Sequence, residues 1–113
     1  MEEQARICKK YGATFYLPKE ESTLGIAWNV KEKNIYPING LRHPPEGQTN
    51  GWYIWAGNDF NPEDDDFFVP LHISHVGEWN PCILRFLALP PGWRFLVADD
   101  YEDVWFDENL LRI

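Results

Sequence analysis

Gly51-Trp52-Tyr53-Ile54-Trp55-Ala56-Gly57 is the stretch that decides the fold. Two glycines bracket five apolar residues, three of them aromatic. Side chains alternate along a strand, so Trp52, Ile54 and Ala56 share one face and Tyr53 and Trp55 the other. Neither face is polar. The segment therefore reads as a central strand covered on both sides.

Upstream of it, residues 39–51 are rich in Gly, Pro and Asn, and the composition predicts a long ordered loop of the kind that often carries function. Within it lies Gly40-Leu41-Arg42-His43-Pro44-Pro45-Glu46. Pro44 pushes His43 toward an extended backbone, and Pro45 does the same for Pro44. Arg42 and His43 are thus held in set directions. They form either a ligand loop or a structural corner in which Arg42 pairs with an acid; the corner is the preferred reading. A catalytic reading would make His43 a general base oriented by a carboxylate, but no nucleophile elbow, phosphate loop or zinc signature accompanies it. Further upstream, a helix is expected over 2–11 with Gly12 as its stop. Thr14 to Leu17 reads as extended, Leu24 to Val30 as a strand containing Trp28, and Ile35 to Ile38 as another extended piece.

Downstream, Asn58 to Asp66 is an acidic loop, and Phe67 to Ile73 is extended with Pro70 inside it. Ser74 to Trp79 fits a helical turn. Asn80-Pro81 has the form of a helix cap followed by proline at the first helical position, and the helix runs on to Leu87 before Pro90-Pro91-Gly92. Trp93 to Ala98 is a strand, Asp99 to Asp103 its turn and Val104 to Phe106 the return. Strands with two short segregated helices predict one α+β domain over 1–113, built on an antiparallel sheet whose central strand is rich in Trp. Trp28, Trp52, Trp93 and Trp105 are expected in the core, and Trp55 and Trp79 at partial exposure.

Charge is divided unevenly. Residues 1–60 carry seven acids and seven bases; residues 61–113 carry eleven acids and three bases, which accounts for the whole net charge of −8. The acids cluster in Glu63-Asp64-Asp65-Asp66, Asp99-Asp100-Tyr101-Glu102-Asp103 and Asp107-Glu108, with aromatic residues beside them. Gathered on one surface they would repel nucleic acid and steer a basic partner; dispersed, they are solvated turns that keep the chain soluble. No apolar run reaches the roughly 18 residues of a membrane span, and Met1-Glu2-Glu3-Gln4 has no secretory character, so the expected location is the cytoplasm, with Cys8 and Cys82 as reduced thiols. His72 and His75, three apart, could meet with His43, yet no fourth ligand is evident, and 58–66 lacks the glycine and spacing of a helix–loop–helix calcium site. No cofactor or metal is expected.

Gly40-Leu41-Arg42-His43-Pro44-Pro45, Gly51 to Gly57, Pro70-Leu71-His72, Leu89-Pro90-Pro91-Gly92-Trp93-Arg94-Phe95-Leu96 and Tyr101-Glu102-Asp103-Val104-Trp105-Phe106-Asp107 together resemble the bacterial polymorphic-toxin immunity-protein family numbered thirty-three, formerly a domain of unknown function. The resemblance covers roughly residues 5–111. It implies a small α+β immunity protein, not an enzyme, which binds a cognate effector toxin in the cytoplasm and blocks it; it supplies no catalytic residues. Joined to the charge pattern, it assigns steering to Asp64, Asp65, Asp66, Asp100, Glu102 and Asp103, since a nuclease toxin presents a basic active site. Trp55, Phe68 and Tyr101 are the expected anchors. The alternative is a small-molecule-binding or regulatory module using the Arg42–His43 loop. Oligomeric state is left open.

Overall fold

The Trp-rich strand, β3 (Thr49–Ala56), lies inside a six-stranded sheet. The structure, a computed structural model, describes residues 2–32, 35–57 and 67–112. The other strands are β1 (Thr23–Ala27), β2 (Ile38–Arg42), β4 (Phe68–His72), β5 (Trp93–Ala98) and β6 (Tyr101–Phe106), ordered β4-β1-β3-β2-β5-β6. Helices α1 (Glu2–Tyr11) and α2 (Val76–Trp79) are joined by 3-10 turns at Trp28–Lys31, Ile73–His75, Pro81–Phe86 and Glu108–Leu111.

The α+β class holds, and the sheet is mixed. Four pairings are antiparallel, while β1 runs parallel to β3. The cause is that β3 inserts between β1 and β2, so the chain must cross over rather than turn back on itself. The register sorts the side chains. Trp52 and Ile54 of β3, Leu24 and Ile26 of β1, Ile38 of β2, and Phe95 and Val97 of β5 point to one side and are buried there. Ile7 and Cys8 of α1, Val76 of α2, and Ile83 and Phe86 cover that side. Phe86 stacks flat on Phe95, with centroids 4.4 Å apart. The outer side of the sheet faces away from these helices.

Residues 39–51, expected as a loop, contain β2 instead. Asn and Gly are poor strand formers, which hides this strand from a reading by composition. Gly40 is there for packing: a Cβ would collide with the Phe95 ring. The loop proper shrinks to the residues between Arg42 and Thr49. The expected strand over 24–30 stops at Ala27 and turns into the 3-10 segment, which puts Trp28 outside. It is 58% exposed and stacks on Trp79 at 5.2 Å, with Lys31 above both rings. Trp79 and Trp55, expected half-exposed, are buried; Trp52 is fully buried, and Trp93 and Trp105 are half-buried. The Asn80 side chain accepts from the Cys82 N–H at 3.2 Å, as the Asn-Pro pair predicts, but the segment it caps is 3-10 rather than α-helical. The turn of the β5–β6 hairpin is only Asp99-Asp100, so Tyr101 to Asp103 are strand residues. Cys8 and Cys82 are free thiols.

Candidate functional site

Two rows of side chains cross the outer face. Phe68 pairs with Ala27. Ile26 pairs with Ile54, which puts Ala27 beside Trp55. Trp55 pairs with Asn39, Asn39 with Leu96, and Leu96 with Asp103. One row therefore reads Phe68, Ala27, Trp55, Asn39, Leu96, Asp103 from edge to edge. Its neighbour, by the same registers, reads Pro70, Gly25, Tyr53, Leu41, Arg94, Trp105. Six strands at about 4.8 Å spacing make each row about 24 Å long.

Ring contacts knit the β4 end of this surface. Phe68 meets Tyr53 at 5.3 Å and Trp55 at 6.2 Å, both edge-on, and Phe67 packs on Phe68 at 4.9 Å. Gly25 makes room for the Tyr53 ring, since a Cβ there would lie 2.7 Å from it. His43 leans on Tyr53 at 5.7 Å and its Nδ1 meets the Leu110 carbonyl at 2.9 Å, which fastens the C-terminal 3-10 turn to one end of the face. At the β6 end, the Arg94 guanidinium lies over Trp105 and its Nη1 reaches Asp107 at 3.5 Å. Arg94 Nε is buried with no hydrogen-bond partner among the described residues.

The residues expected to meet a partner divide. Trp55, Phe68 and Asp103 share a row, and Tyr101 and Asp100 are exposed beside it at the hairpin end. Trp55 is buried under its neighbours, so it supports the surface more than it projects from it. Glu102 is misplaced by the expectation: it points to the helix side, where Tyr11, Lys10 and Arg85 all bind its carboxylate. The cause is strand alternation, because extending the turn through Asp103 obscured that Glu102 and Asp103 face opposite ways. Asp64, Asp65 and Asp66 lie outside the described residues. Asp99 holds the Tyr36 hydroxyl, whose pKa rises through that hydrogen bond. Tyr53 shares the face with Trp55 as expected, whereas Trp105, expected in the core, and Arg94 also belong to it; the alternation of Trp93 to Ala98 was the signal for Arg94.

Arg42 does not lie on the surface. Its side chain is fully buried. The corner expectation is right in kind but wrong in partner: Nε donates to the Asn50 carbonyl at 2.9 Å, and Nη1 to those of Tyr16 at 2.9 Å and Leu89 at 2.8 Å. Carbonyls of three segments, rather than an acid, hold it.

A model of the Imm33-like domain matches residues 3–107. The chain belongs to the Imm33-like family. No curated protein and no solved structure matches it. In this Imm33-like domain, the Ser74 hydroxyl sits 2.8 Å from His72 Nδ1, but the same nitrogen accepts the Ser74 N–H at 3.2 Å, which makes the pair a local cap of the 3-10 turn. His75 is paired with Glu78 at 2.6 Å. Among the described residues no three His, Cys, Asp or Glu side chains converge to hold a metal ion, and no helix is long and apolar enough to cross a membrane.

Proposed function

We propose that this Imm33-like domain neutralises a cognate bacterial effector toxin in the cytoplasm by binding it through the outer face of the sheet, without catalysis of its own. The family designation supports an immunity role. The observation that carries the binding mode is the pair of rows: Phe68, Trp55, Tyr53, Leu41, Leu96 and Trp105 make most of them apolar, with Asn39 among them, and Asp103 and the Asp100 turn stand at one end. An apolar centre with a charged rim is the anatomy of a protein interface. Tyr101 and Arg94 are the anchors, as side-chain types that most often dominate a binding interface, and Phe68 adds apolar ring area at the β4 end. Asp100 and Asp103, joined by Asp64, Asp65 and Asp66, steer a toxin with a basic surface such as a nuclease active site.

The test is binding of the cognate toxin, measured over a range of salt. Changing Asp100 and Asp103 to Asn should slow association and flatten its salt dependence while leaving dissociation nearly unchanged. Changing Tyr101 to Ala should instead speed dissociation, by a factor of about ten or more. Unchanged kinetics in both variants would remove the outer face from the interaction.

A further inference from the structure

Beside the buried Arg42 opens a cleft of about 450 Å³, lined by Tyr16, Leu17, Lys19, Arg42, Pro45 and Glu46 among others. It lies at the sheet end where β2 and β3 meet the segment after α1, away from the acidic hairpin turn. Its volume is within the range of small-molecule sites and far beyond that of a single bound ion.

The guanidinium lies against both the Tyr16 and the Trp52 ring, with centroids 4.9 and 5.6 Å away. Nε and Nη1 are spent on carbonyls. Nη2 has no hydrogen bond among the described residues, and Arg42 is one of the residues that line the cleft. No carboxylate of the described residues forms an ion pair with Arg42 either. A buried cation without a counter-charge is costly, and burial alone pushes its pKa down to about 10. An anion that fits the cleft would supply that counter-charge.

The charges around the cleft set its class. Arg42 and Lys19 contribute two positive charges and Glu46 one negative, leaving one to be balanced. A dianion such as phosphate would need more donors than one amino group and a lysine, and would face Glu46. A planar carboxylate of single charge matches the Nη2 donors. Leu17, Pro45 and the Tyr16 ring give an organic tail something apolar to lie on. We propose that the cleft over Arg42 binds an organic monocarboxylate, with Nη2 of Arg42 as its principal donor and Lys19 at its rim. Arg42 is the buried element of this site and Lys19 its exposed one. The carboxylate comes either from a free small acid or from the C-terminus of a polypeptide; both offer the same group to the same donors.

The experiment is nuclear magnetic resonance of the full ¹⁵N-labelled chain, following the Arg42 guanidinium signals and the Tyr16, Thr49 and Asn50 amides. Sodium 4-methylpentanoate, sodium phosphate and sodium chloride are titrated at constant ionic strength, beside the peptide Gly-Gly-Leu with a free and with an amidated C-terminus. The expected result is a saturable shift with 4-methylpentanoate, with the free-acid peptide, or with both, and none with the amide. Response to the fatty acid indicates a free ligand; response to the peptide acid alone indicates a polypeptide end. Lys19→Gln, a surface change that leaves the fold intact, should weaken the binding roughly two- to five-fold. Arg42→Lys should abolish it, and if that variant fails to fold, the Lys19 comparison still decides. No saturable shift with either acid overturns the proposal, as does an equal response to phosphate or chloride. None of these readouts involves the toxin, so failure here and failure of the outer-face reading are separate results.

Discussion

Tyr11 donates its hydroxyl to Glu102 Oε2 at 2.6 Å, joining the last residue of α1 to the edge strand β6 across 91 positions of sequence. The same carboxylate takes Lys10 at 3.3 Å and, through Oε1, Arg85 at 3.1 Å. One acid thus ties α1, the 3-10 turn after Asn80 and the hairpin together. Tyr11→Phe removes the shortest of these bonds and should cost about 1.5 kcal/mol, the usual worth of a hydrogen bond to a charged group. Glu102→Gln should cost about 1–2 kcal/mol, because Arg85 loses its counter-charge in a partly buried place. Urea unfolding of both variants and of the double variant measures the coupling; additive losses would show that the two side chains act separately.

The same group gives the stability curve its shape. Desolvation raises the Glu102 pKa, but the Tyr11 and Lys10 hydrogen bonds and the nearby cations outweigh it, and the net shift is downward from 4.5. A lowered carboxylate pKa contributes stability that is complete above the ordinary carboxylate range and is lost as the pH falls through the folded-state value. Tyr11 is shifted the other way, first by burial and then by the carboxylate it donates to. A raised pKa contributes stability that is complete below its ordinary value of 10 and is lost above it. Chemical denaturation across pH should therefore show a plateau that falls below about pH 4.5 and above about pH 10. In Tyr11→Phe both slopes should become shallower, since the variant removes the alkaline group and the main hydrogen bond holding the acid one.

What the sequence disclosed depended on whether a residue's neighbours in space were also its neighbours in the chain. Trp52 to Ala56 declared itself because alternation and burial coincide there, and α1 because its apolar stripe and the glycine after it are local. β2 stayed hidden because Gly40 answers to Phe95, 55 positions away. Trp28 was placed in the core because a strand was carried three residues too far, into a 3-10 turn that leaves its ring exposed on top of Trp79. Arg42 was rightly given a fixed direction by the prolines after it, but its carbonyl partners come from three segments that no spacing rule connects. For the outer face, Trp55, Phe68, Tyr101 and Asp103 were legible as aromatic and acidic residues on strands. Their sharing of one surface, and the exclusion of Glu102 from it, follows from strand order and register.

Gly40 is a packing glycine and should behave as one. Its backbone is not in the left-handed region, so alanine is conformationally acceptable, yet the methyl would enter the space of the fully buried Phe95 ring. Overpacking a tight core costs about 1–3 kcal/mol. Gly40→Ala should fall in that range, and pairing it with Phe95→Leu should recover part of the loss. If Gly40→Ala unfolds at the same urea concentration as the parent, the close approach of β2 and β5 at this point is wrong.

Arg42 supports the fold by donating to backbone carbonyls of four residues. The Tyr16, Asn50 and Leu89 oxygens each receive one of its N–H groups, and Leu87 a longer one at 3.4 Å alongside the Trp52 indole N–H at 3.1 Å. Arg42→Met keeps the length and the apolar stem but removes the N–H that the Tyr16, Asn50 and Leu89 carbonyls each accept. The charge removed had no acidic partner among the described residues, so relief of its burial offsets part of the loss. Three lost hydrogen bonds at about 1–3 kcal/mol each nevertheless exceed that relief. The variant should be destabilised by about 3 kcal/mol or more, with amide hydrogen exchange rising first in β3 near Asn50 and in the segment 87–89. Arg42→Lys restores one donor and the charge without the fork, and should recover only part of this. Equal stability of Arg42→Met and the parent would mean that the guanidinium serves the cleft alone and takes no part in holding the corner.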